Sequence, residues 1–140
     1  MARLDALDER PSSDGADPRL RIMVVDDYGP VRELVAEILP SADCIVVGQA
    51  ADGEEALAVL AGTACDLVVM DINMPVMDGV EATRAITRQY PNVKVVAFSC
   101  ADAEAVRQMI DAGATTSIDK NGPIWNLIDY VTREARQRIP

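Results

Sequence analysis

The feature that most constrains this chain is an alternation of short apolar runs with amphipathic segments, repeated five times after residue 19. Ile22 to Val25, Ile45 to Val47, Leu67 to Met70, Val93 to Phe98 and Ser117 to Asp119 read as strands. The continuous apolar runs among them suit strands covered on both faces. Between them, Val31, Leu34, Val35, Ile38 and Leu39 recur at helical spacing on one face. Leu57 and Leu60 mark a second helix, Val80, Thr83, Ile86 and Tyr90 a third, and Val106, Met109 and Ile110 a fourth. Asp52 is placed to cap the second helix, with Glu55 three residues on as in a capping box. Pro91 ends the third helix and Gly113 the fourth. Pro123 opens the last, with Ile124, Leu127, Ile128 and Val131 on one face. Strand–helix alternation of this kind builds a parallel sheet with helices on both sides.

The first 19 residues are polar, with Pro11, Ser12, Ser13, Asp14, Gly15, Asp17 and Pro18 close together, and read as a flexible tail. Residues 20–138 read as one domain, with no room for a second one in the 140 residues. Aromatics make up 4% of the chain, so the core must be aliphatic. The net charge of −10, without a Lys/Arg cluster, argues against direct nucleic-acid binding and against an anionic membrane surface. No apolar run reaches the ~18 residues of a membrane span, and no signal peptide precedes the domain. Cys44, Cys65 and Cys100 show no disulfide or zinc spacing and read as small buried hydrophobes in a reducing, cytoplasmic setting. The chain has no histidine, so its chemistry must run on carboxylates, hydroxyls and lysine.

In an open α/β sheet the functional site lies beyond the carboxyl ends of the strands. Asp26 and Asp27 follow the first strand, Asp71 the third, Ser99 the fourth and Lys120 the fifth. The second strand ends in Gln49 and Ala50, without a charge. A strand order of 2-1-3-4-5 would bring Asp26, Asp27 and Asp71 together. Two carboxylates ~4 Å apart repel by on the order of 4 kcal/mol at an effective dielectric of about 20. Either a carboxyl pKa rises or a cation binds. With oxygen donors only, a hard cation such as Mg²⁺ suits the cluster. A single aspartate at a strand end is more often a helix cap, but caps do not account for the whole set with a lysine among acids.

These residues resemble the receiver domain of two-component response regulators. The likeness rests on Val24-Val25-Asp26-Asp27, on Met70-Asp71-Ile72-Asn73-Met74-Pro75-Val76-Met77-Asp78-Gly79, on Phe98-Ser99, and on Gly113-Ala114 with Lys120. It spans about Leu20 to Arg138 and is nearest to receivers that usually precede a helix-turn-helix output domain. The resemblance implies a flavodoxin-like (βα)5 doubly wound sheet. It implies that Asp71 accepts a phosphoryl group from a histidine kinase or phosphotransfer protein. Asp27 would bind Mg²⁺ directly, Asp26 mainly through water, and Asp71 and the backbone carbonyl of Asn73 would complete the ligands. Lys120 would pair with the phosphoryl oxygens and Ser99 would donate its hydroxyl. The face formed by the fourth helix, fifth strand and fifth helix would signal to a downstream protein or to a second copy. Such a chain is a switch that transforms only itself, not an enzyme with a separate substrate.

Three positions depart from, or add to, that pattern. Ser117 stands where the family usually carries an aromatic switch residue, three positions before the lysine. Asn121 follows Lys120 where many members have proline, so a trans bond is expected there. Trp125 lies beside the apolar stripe of the last helix, as a half-buried cover or as an exposed anchor for a partner. Gly79 is expected to supply an unusual backbone angle, and Asp78 to cap the third helix. A contact-only pseudo-receiver is the alternative reading. An aspartyl-phosphate phosphatase would want a second aspartate two positions after the nucleophile, where Asn73 stands, and no Gly-rich nucleotide motif is present. No output domain lies within the chain, which either stands alone or is one piece of a longer regulator.

Overall fold

The structure is a computed structural model that describes residues 17–138. The expected tail falls almost entirely on residues 1–16, outside the described residues. The elements run β1 (Leu20–Val25), α1 (Gly29–Ile38), a 3-10 turn (Leu39–Ala42), β2 (Cys44–Ala50), α2 (Gly53–Gly62), β3 (Leu67–Met70), α3 (Gly79–Gln89), β4 (Lys94–Ser99), α4 (Ala103–Ala112), β5 (Thr116–Asp119) and α5 (Trp125–Arg138). All strand pairs are parallel and the sheet order is 2-1-3-4-5. β1 and β3 therefore lie side by side, with Val25 opposite Met70. A register shift between Ile22 and Met23 marks a bulge against β2.

Strand periodicity divides the core in two. Met23, Val25, Val68, Met70, Val95 and Ala97 pack under α2, α3 and α4 through Leu60, Ile86 and Met109. Ile22, Val24, Val69, Val96 and Phe98 face the other side, under Val35 of α1 and Leu127 and Val131 of α5. In α1 and α4 only part of the apolar stripe is covered. Leu34 is 54% exposed and Ile110 42% exposed, against the expectation that both face inward. Each sits about 100° round the helix from its buried neighbour, Val35 or Met109, beyond the arc that the sheet covers.

The caps follow the sequence with one change. Asp52 accepts from the Glu55 N–H at 2.8 Å. The Glu55 carboxylate reaches past the cap to the Ala51 N–H, one residue earlier than a capping box requires. Asp78 caps α3 by accepting from the Glu81 N–H at 2.9 Å, as expected. α5 starts at Trp125, two residues beyond Pro123. Trp125 is 67% exposed, which excludes the half-buried reading. Cys44 and Cys65 are buried, but Cys100 is exposed because it lies beyond the end of β4. The Lys120–Asn121 bond is trans, and no cis peptide bond occurs among the described residues. Among the described residues, no helix is long and apolar enough to cross a membrane.

Candidate functional site

β1 and β3 are interior strands of the sheet, buried along all or nearly all of their length, so the first polar residues after them emerge at a rigid sheet edge. Asp26 and Asp71 are both buried, at 4% and 6% exposure, and Asp27 is exposed. One carboxylate oxygen from each of Asp26, Asp27 and Asp71 lies within 4.8 Å of the others. All the donors are oxygens and the cluster is strongly negative, so these residues fit a hard divalent cation.

Lys120 supplies the positive charge in this cluster. Its Nζ lies 2.5 Å from Asp26 Oδ2 and 3.5 Å from Asp71 Oδ1. Burial alone would lower the Lys120 pKa, but its contacts with Asp26 and Asp71 outweigh that and raise it. The Asp71 carboxyl is pushed above its ordinary value, by burial first and by the Asp26 charge second. Lys120, the Ser99 hydroxyl and the Ile72 N–H pull the other way without prevailing. The Ile72 N–H donates to Asp71 Oδ1 at 2.8 Å. Ser99 is buried as the last residue of β4, and its carbonyl accepts from the Lys120 N–H at 3.2 Å. Four of the sequence-derived side chains, with Ser99 beside them, thus converge. Asn73 is exposed in the loop two residues beyond Asp71.

That loop is shaped differently from expectation. Gly79 does not adopt a left-handed angle; among the described glycines only Gly113 has positive φ. Gly79 is needed for space. A Cβ there would stand 2.1 Å from the Asp71 carbonyl oxygen and 2.8 Å from Ile72 Cα. The Gly79 N–H donates to the Ile72 carbonyl at 2.7 Å, which draws the start of α3 onto the Asp71 backbone. The left-handed residue of this loop is Val76, at φ 70°, where the Met77 N–H donates to the Pro75 carbonyl.

This geometry coincides with a known family pattern. The sequence pattern of the response regulator receiver domain matches residues 22–132. The chain belongs to the response regulator receiver family. It is 41% identical over 106 residues to a protein-glutamate methylesterase/protein-glutamine glutaminase of Hahella chejuensis, covering 73% of this chain and 30% of that protein. It is 35% identical over 114 residues to the response regulator GacA of Pseudomonas viridiflava, covering 80% of this chain and 53% of that one. The chain thus spans about half or less of the length of these curated relatives. The receiver fold also matches the CheX–CheY–BeF3–Mg²⁺ complex from Borrelia burgdorferi, with a TM-score of 0.72, 27% identity and coverage of 82% and 88% of the two chains.

Two residues of this receiver's acidic edge escaped the sequence reading. Arg32 of α1 donates through Nη1 to the backbone carbonyl of Asp26 at 2.8 Å, and through Nε to Gln49 Oε1 at 3.3 Å. Arg32 lies on the polar side of an amphipathic helix, and Gln49 is uncharged. Neither carried a signal in the order of residue types alone.

Proposed function

We propose that Asp71 is the phosphoacceptor of a two-component switch, with Mg²⁺ held by Asp26, Asp27, Asp71 and the backbone carbonyl of Asn73. The observation that carries this reading is the Lys120 ammonium set against two buried carboxylates, beside a third, at the β1/β3 edge. The donor would be a phosphohistidine on a histidine kinase or phosphotransfer protein, since the chain has no histidine of its own. An Asp71 carboxylate oxygen forms the new O–P bond as the donor N–P bond breaks, and the histidine leaves with the bonding pair. Bound Mg²⁺ supplies positive charge against the phosphoryl oxygens. Lys120 exchanges its Asp26 contact for those oxygens, and Ser99 donates its hydroxyl to them. Hydrolysis of the acyl phosphate by water returns the carboxylate and resets the switch. The product adds about two negative charges at the sheet edge. Because Ser99 and Lys120 lead into α4 and α5, that charge biases the α4–β5–α5 face toward a downstream protein or a second copy. With Ser117 in β5, no aromatic ring rotates at that position, so the displacement of Lys120 and Ser99 carries the signal. The natural setting of this chemistry is the cytoplasm.

The test is incubation with acetyl phosphate, with and without Mg²⁺, followed by intact-protein mass spectrometry. A Mg²⁺-dependent gain of one phosphoryl group, absent in Asp71→Asn, is expected. No gain from acetyl phosphate or from phosphohistidine donors, in folded protein that binds Mg²⁺, would leave a module that acts by contact alone.

A further inference from the structure

Asp26 is held on every side. Its N–H donates to the Ala50 carbonyl at 3.0 Å. Its Oδ1 accepts from the Tyr28 N–H at 2.9 Å, and its Oδ2 meets Lys120. The remaining group is the Asp26 carbonyl, one end of the peptide that joins Asp26 to Asp27, and it is taken by Arg32. Arg32 is itself steadied by Gln49 at the end of β2. Asp27 differs from Asp26: it is exposed, and no hydrogen bond among the described residues orients its carboxylate. Its direction therefore depends on how the Asp26–Asp27 peptide is turned.

We infer that Arg32, braced by Gln49, is a positioning residue that sets the Asp26–Asp27 peptide so that the Asp27 carboxylate faces the cation site. This inference rests on the metal-binding reading above. The same role accounts for the one strand end with neither a charged nor a hydroxyl group: Gln49 offers its amide oxygen to an arginine rather than to a ligand.

A positioning Arg32 and a merely charged Arg32 affect Mg²⁺ binding with opposite signs. A guanidinium near three carboxylates repels an incoming cation, so a purely electrostatic Arg32 would weaken Mg²⁺ binding and its removal would tighten it. A positioning Arg32 does the reverse, because losing a group that orients metal ligands typically costs 10–100-fold in affinity. The experiment is calorimetric titration of Mg²⁺ alone into the full chain, for wild type, Arg32→Met, Arg32→Lys, Gln49→Ala and the double variant Arg32→Met/Gln49→Ala. Thermal unfolding in EDTA checks that each is folded. Arg32→Met is expected to bind Mg²⁺ about tenfold more weakly. Gln49→Ala is expected to move affinity in the same direction by less. The double variant should match Arg32→Met, since Gln49 acts through Arg32. Arg32→Lys should recover only part, because an ammonium lacks the planar fork that reaches both oxygens. Arg32→Met binding as tightly as wild type or more tightly, or full recovery in Arg32→Lys, would overturn the inference. Should Arg32→Met not fold, exposed Gln49 still decides, and unchanged affinity in Gln49→Ala overturns it. Wild type that binds no Mg²⁺ removes the metal-site reading, and this inference with it.

Discussion

The Lys120 ammonium bridges the two buried carboxylates of the site, at 2.5 Å from Asp26 and 3.5 Å from Asp71. It therefore occupies the electrostatic role that a divalent cation would take, and the two compete. Lys120→Met leaves Asp26 and Asp71 buried without a counter-charge. In EDTA this variant should lose about 3–5 kcal/mol of stability, the range for breaking a buried pair from one side. Saturating Mg²⁺ should restore more stability to it than to wild type, because the cation binds the folded state more tightly once the ammonium is gone. Urea denaturation with and without Mg²⁺ measures both effects. An equal Mg²⁺ gain in the two proteins would contradict the competition.

Asp71 gives a pH signature. Its folded pKa lies above the ordinary 3.8, through burial and the neighbouring Asp26. Folding therefore favours the protonated form. The stability this contributes is complete below the ordinary value and is lost as pH rises through the raised folded value. At pH 7 the charged, buried carboxylate destabilises the chain, so Asp71→Asn should melt higher in EDTA, by about 2–8 °C for each ~1 kcal/mol of that cost relieved. The gap should narrow as the pH falls toward the carboxylate range. Calorimetry at pH 7 and at about pH 4 in chelator reads the change, and a gap that widens on acidification would refute it.

Periodicity carried most of the fold. Buried strands read as apolar runs, and their ends named Asp26, Asp27, Asp71, Ser99 and Lys120 because a parallel sheet delivers all its carboxyl ends to one edge. What escaped depends on distances that no local pattern encodes. Leu34 and Leu39 look alike along the chain, yet only Leu39 is buried, since the width of the covered arc is set by neighbouring elements. Gly79 was legible as a required glycine but not for its reason, which is the approach of the Asp71 backbone from another part of the loop. The Arg32–Gln49 contact joins residues 17 apart in sequence and involves one exposed side chain, so it had no periodic or compositional mark.

Gly79→Ala separates the two explanations for that glycine. A requirement for left-handed geometry would be relieved by asparagine, whereas a requirement for space is not. The added Cβ would meet backbone atoms of Asp71 and Ile72, which cannot yield as a flexible side-chain end can. Alanine and asparagine at 79 should both cost at least about 2 kcal/mol in urea denaturation. Both should also slow acetyl-phosphate labelling, because the shift falls on the backbone of Asp71 itself. An asparagine variant as stable as wild type would return the explanation to backbone angle.

Trp125 is the only tryptophan in the chain and is 67% exposed at the start of α5, five residues after Lys120. Its emission therefore reports a single position. In dilute protein the emission should be red-shifted and open to acrylamide quenching. Trp125→Ala should change stability by no more than about 0.5 kcal/mol, since little packing is lost. A large exposed aromatic is also the residue type most often found at the centre of binding surfaces. If Trp125 serves that way on the phosphorylated chain, labelling with acetyl phosphate and Mg²⁺ will make its emission shift to the blue as protein concentration rises. Trp125→Ala will then lower self-association in sedimentation velocity. Emission that stays red at every concentration, with sedimentation unchanged in Trp125→Ala, would leave Trp125 as an exposed side chain with no part in pairing two copies.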